Sequence, residues 1–62
     1  MKKIKLEDLK VGMTVDVCEP GAEVGFERGV IIEIDGDEVM LVDGSEGFGV
    51  DATEVEFAEV EH

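Results

Sequence analysis

Tryptophan and tyrosine are absent from these 62 residues, and histidine, cysteine, proline and serine occur once each. Each scarcity closes a class of function. With no histidine before position 62, one serine (Ser45) in a turn-forming stretch and no lysine beyond Lys10, no nucleophile and base can be paired. The chain therefore reads as non-enzymatic, with no catalytic residue. A lone Cys18 has no second cysteine for a disulfide or a metal pair, and it sits in MTVDVC as an ordinary strand residue. The terminal His62 reads as a frayed end or tag remnant and not a ligand. No metal and no cofactor are expected.

Basic residues are scarce too: 5 against 17 acidic ones, for a net charge of −12. Such a surface repels phosphate backbones and anionic lipid, so nucleic acid is not the expected partner. The imbalance is local. Lys2, Lys3, Lys5 and Lys10 crowd the first ten residues, and from Val11 onward Arg28 is the only cation. No apolar run approaches the roughly 20 residues of a membrane span, and charges interrupt MKKIKLEDLK where a secretory signal would be apolar. A cytoplasmic monomer is the expectation. A chain this short buries only about 60% of its unfolded surface, which excludes a large internal active-site cavity.

What is present is the composition of strands and tight turns. Valine and isoleucine together number 14 against three leucines, and eight glycines punctuate the chain. One domain, residues 1–62, is expected. Leu6 and Leu9 flank Glu7 and Asp8 in a helical or 3₁₀ turn closing one end. Met13–Cys18 alternates as a first strand. Glu19–Glu27, with the only proline, reads as a long irregular loop. In ERGVIIEI, Val30, Ile32 and Ile34 are assigned to the buried face and Ile31 and Glu33 to the other. Asp35-Gly36 is a strong hairpin signal, and EVMLV returns with Val39 and Leu41 inward. A second turn at Asp43-Gly44-Ser45 leads into EGFGVD, whose Gly47 and Gly49 imply a bulge or a close backbone approach. Asp51 caps a single 3₁₀ turn, and VEFAEV closes the chain. The predicted core is Val15, Val17, Val30, Ile32, Ile34, Val39, Leu41, Val50 and Phe57.

This meander, with its long first loop, two tight hairpins and one-turn helix before the last strand, resembles the Src-homology-3-like small barrel. ERGVIIEIDGDEVMLV is similar to the core of KOW and Tudor-type members, and GVDATEVEFAEV to their closing turn and strand. The resemblance spans about residues 11–60 and implies an all-β, five-stranded barrel. It encodes a barrel and not a site. Tudor-type readers use an aromatic cage, whereas only Phe26, Phe48 and Phe57 are available here and Phe57 is assigned to the core. RNA-binding KOW members rely on basic loops, and the loops here are PGAEVGFE, DGDE and DGSE.

Candidate partner-binding residues are therefore Phe26 at the tip of the Pro/Gly loop, Arg28 as the barrel's one cation, and the carboxylates of the two turns, Asp35, Asp37, Glu38, Asp43 and Glu46. Arg28 is expected in a local ion pair. The turn carboxylates do not follow an EF-hand pattern, since Val39 falls at a ligand position. GSEGFG precedes a strand and contains Glu46, so it is no phosphate cradle. The leading reading is an interaction module presenting an acidic surface to a basic protein partner, one form of which is an acidic inhibitor occupying a nucleic-acid-binding groove, as small phage-encoded proteins can do. The alternatives are a KOW-type RNA- or ribosome-associated barrel using the N-terminal lysines, an acidity suited to a high-salt cytoplasm, and an iron-transport accessory domain whose opening resembles LEDLKVGM.

Overall fold

The computed structural model describes residues 2–60, so His62 lies outside the described residues. It is all β apart from one 3₁₀ turn, Leu6–Asp8. The strands are β1 (Lys3–Ile4), β2 (Thr14–Cys18), β3 (Gly25–Asp35), β4 (Glu38–Asp43), β5 (Glu46–Asp51) and β6 (Glu56–Glu59). They form one antiparallel sheet in the order β1-β6-β2-β3-β4-β5. Among the described residues there are six strands and not five, because Lys3 and Ile4 pair with Ala58 and Phe57. Nor, among the described residues, does the sheet close into a barrel: β1 and β5 are edges with no ladder between them. Ile4 from one edge and Phe48 and Val50 from the other nevertheless pack on the same core, so the sheet curls over it.

The two hairpins follow from their glycines. Asp35 pairs with Glu38 and Asp43 with Glu46, leaving two-residue turns that begin with Gly36 and Gly44. Both adopt left-handed φ, +61° and +63°, which suits a hairpin turn with glycine at the first central position. The segment before β6 is not a 3₁₀ helix but a hydrogen-bonded turn, with the Glu54 N–H donating to the Asp51 carbonyl at 2.9 Å. Asp51 does cap it: Oδ1 accepts from Thr53 N at 2.8 Å and from Thr53 Oγ1 at 2.6 Å.

The core consists of Leu9, Val15, Val17, Ile31, Val39, Leu41 and Phe57, with Ile34, Phe48 and Val50 half-buried against it. Val30 and Ile32 do not belong to it; they are 39% and 51% exposed. Gly29 sets the phase of β3. It is buried, and a Cβ built on it would stand 3.1 Å from Leu41 Cβ and 3.3 Å from Phe48 Cε1. The inward positions are thus Gly29 and Ile31, and a bulge between Ile31 and Glu33 then carries the inward phase to Ile34. A second irregularity, between Val17 and Cys18, accompanies full burial of Cys18. β4 and β5 pair without a break, so Gly47 and Gly49 mark no bulge. Gly49 is instead a close approach: its Cβ would fall 2.8 Å from Met40 Sδ, so the methionine lies where a side chain would have been.

Candidate interaction surface

Register determines which side chains share the outer face. Phe26 lies on β3 and not at a loop tip, since that strand begins at Gly25, and it is 56% exposed. In step with it on the outer side come Arg28 and Val30. Arg28 pairs across the ladder with Asp16, Nε donating to Oδ1 at 2.8 Å. This is the local ion pair expected of the one cation beyond position 10, and the hydrogen bond that Arg28 donates to Asp16 raises the guanidinium's pKa.

Beyond Arg28 the outer face turns apolar. Val30 stands opposite Val42, Met40 lies over Gly49, and the bulge leaves Ile32 in water beside them. At one end this strip meets a row of carboxylates, because Asp35 pairs with Glu38 and Glu38 with Asp51, while Glu33 pairs with Met40. Next to that row Asp37, Glu38, Gly49, Val50 and Asp51 line an open groove of about 340 Å³. The Asp37 carbonyl accepts from Ala52 N at 2.7 Å and ties the hairpin to the turn after β5.

The five turn carboxylates therefore do not form one cluster. Asp35, Asp37 and Glu38 lie at one end of β4, and Asp43 and Glu46 at the other, about 17 Å away at the usual rise per residue. Each group gains a member from elsewhere in the chain: Asp51 joins the first, and Glu27 the second. Hydrogen bonding to Asp43, open to Glu27 only when protonated, raises the Glu27 carboxyl above its ordinary value, with desolvation and the nearby negative charges acting in the same direction. Among the described residues no three or more carboxylate, thiol or imidazole groups converge where a metal could sit.

Glu56, unremarked in the sequence, organises the opposite side. Its Oε1 accepts from Lys3 Nζ at 2.6 Å and from Gly21 N at 2.8 Å, and these bonds lower its pKa. Lys2 approaches Glu59 at 3.9 Å. Two of the four N-terminal lysines thus face carboxylates of β6. Among the described residues no helix is long and apolar enough to cross a membrane. No family model matches the chain, and neither a curated protein nor a solved structure matches it.

Proposed function

We propose that this chain is a non-enzymatic interaction module, and that the outer face of β3, β4 and β5 receives a basic protein partner. The observation that carries the reading is the exposed Val30 and Ile32, joined to Met40 and Val42 and bordered by Glu33, Asp35, Glu38 and Asp51. A dry centre with a charged rim is the anatomy of a protein interface, and the sign of this rim selects a cationic counterpart. The antiparallel meander is compatible with kinship to Src-homology-3-like barrels of the KOW and Tudor type. An RNA-binding role is less well supported, since Lys2 and Lys3 are engaged by Glu59 and Glu56. Inhibition of a nucleic-acid-binding protein through its basic groove is one form the module's action takes.

The test is capture from the lysate of the chain's own cell, at low salt and at about 0.5 M NaCl, with the parent and with Asp35, Asp37 and Glu38 all changed to Lys. A Lys- and Arg-rich protein, identified by mass spectrometry, should be retained by the parent at low salt and lost in the charge-reversed chain. Retention indifferent to the reversal, or no basic protein retained, overturns the reading.

A further inference from the structure

The two edges of the sheet are finished differently. β1 is two residues long, too short to template another strand. β5 is six residues long and pairs with β4 in unbroken register, with no strand among the described residues on its far side. Sheets discourage further pairing with proline, a bulge or charged side chains in the edge strand; β5 has no proline and no bulge, and its two carboxylates, Glu46 and Asp51, stand only at its ends. Among the described residues, no backbone hydrogen bond outside the β4 ladder engages residues 46–50.

We propose that β5 is a docking edge that takes up an extended segment of the basic partner as a seventh strand, with a Lys or Arg opposite Asp51 and bulky apolar side chains opposite Gly49 and Gly47. This rests on the reading of the outer face as a protein interface, and it names the part of the partner that binds and how.

Three observations select that occupant. The first is space. Gly47 and Gly49 are both exposed on the outer face, where bulky residues on a neighbouring strand gain contact that glycine itself does not supply. A Cβ at Gly47 would meet nothing nearer than the Leu41 carbonyl at 3.7 Å, whereas over Gly49 Met40 Sδ already occupies the place at 2.8 Å, so a partner side chain there packs beside the methionine and the open space lies over Gly47. Large side chains laid across these positions would extend the apolar strip of Val42 and Met40. The second is charge. Asp51 closes the strand beside the groove that Asp37 and Glu38 share with it, and Glu46 and Asp43 close the other end. An added strand therefore meets carboxylates at both ends and none between. The third excludes a second copy. Antiparallel self-pairing of β5 in its fullest register sets Glu46 opposite Asp51 twice, and like charges directly opposed destabilise a ladder. It would also bring together two bodies each carrying −12. In the antiparallel sense of every other ladder here, the recognised pattern is a basic residue followed by apolar residues two and four positions later.

The probe is a capped peptide, Lys-Thr-Phe-Thr-Phe-Thr-Lys, titrated into the ¹⁵N-labelled full chain. Chemical shift changes should centre on the Gly47 and Gly49 amides, and hydrogen exchange across β5 should slow. Two further peptides carry N-methyl groups on alternate amides, one in each phase. The phase that blocks the edge facing β5 should bind at least about tenfold more weakly, and the other should bind like the parent. Asp51→Asn, which keeps an acceptor for the Thr53 cap, should weaken binding several-fold. Equal binding by both methylated peptides overturns the strand-addition proposal while leaving an acidic interface standing. Shift changes centred on β1 or β6, or no binding by the parent peptide, also overturn it, and the lysate capture judges the broader reading separately. Concentration-dependent protection of β5 without peptide would make a second copy the occupant and refute the choice made here.

Discussion

Ile31 and Ile32 are adjacent in the chain and stand on opposite sides of the sheet, the first with none of its surface in water and the second with 51% exposed. Ile31→Ala should therefore cost about 2–4 kcal/mol, against about 0.5 kcal/mol or less for Ile32→Ala. Because the first change alone can unfold so small a domain, the Val variants supply a milder pair: about 0.5–1.5 kcal/mol at Ile31 and no resolvable loss at Ile32. Urea melts of the four variants check this, and equal losses at the two positions would place the bulge elsewhere.

The two perturbed groups of carboxylates respond to pH with opposite sign. Glu27 has a raised pKa, first because of its hydrogen bond with Asp43 and then through desolvation and nearby negative charge. Its contribution is present below the ordinary carboxyl range and is lost as pH rises through the raised value. Glu27→Gln keeps a neutral partner for Asp43, so it should melt like the parent in acid and above it near neutral pH. Glu56, lowered by Lys3 and the Gly21 N–H, and Asp51, lowered by Thr53, behave in reverse. Their contribution is present above the ordinary range and is lost as pH falls through the lowered values. Glu56→Gln should therefore melt below the parent near neutral pH, with the gap closing in strong acid. Melting temperatures across the acid range read both signs.

How much of this was legible depended on the distance over which each signal acts. The turns at Asp35-Gly36 and Asp43-Gly44 were readable because glycine's tolerance of positive φ is a local property. The turn at Leu6–Asp8 was readable because its signal, two leucines three positions apart around two carboxylates, is equally local. The phase of β3 was not, because Val30, Ile31, Ile32 and Ile34 are all apolar and strict alternation offers no way to choose among them. Gly29 held the clue: a residue without a side chain, one position before the run, is where Phe48 and Leu41 come closest. That the carboxylates of the two turns fall into two separate groups follows from the extended β4, which sets them at its opposite ends. Glu56 gave no signal, since its partners are 53 and 35 positions away.

Cys18 is fully buried in β2, and burial, the leading cause, raises its thiol pKa. Thiolate is the reactive form, so an aromatic disulfide reagent should modify the folded chain only as fast as the domain opens. Labelling that accelerates with urea in step with unfolding is the expected outcome. Rapid, stoichiometric labelling without denaturant would show β2 to be open at its Cys18 end.

Salt should stabilise the fold. Fifteen of the acidic residues lie beyond position 10 with Arg28 as the only cation, and Arg28 is already matched to Asp16. Carboxylates crowd both ends of β4, within the roughly 10 Å over which 0.1 M salt screens. Calorimetric melting temperature should rise steadily from low salt to about 0.5 M NaCl. A flat profile would show that the two carboxylate groups do not repel within the folded domain.

One oxygen of Glu56 receives both the ammonium of Lys3 and the backbone N–H of Gly21. An edge strand and the irregular loop of 19–24 are thereby latched by a single atom on β6, although neither is joined to the other by a ladder. Release of that oxygen removes both constraints together. β1 keeps its ladder to Ala58 and Phe57, so loss of that oxygen should raise hydrogen exchange most at the Gly21 amide. Breaking these two bonds removes none from the ladders of β4 and β5, so the outer face and its edge stay presented when that oxygen is lost.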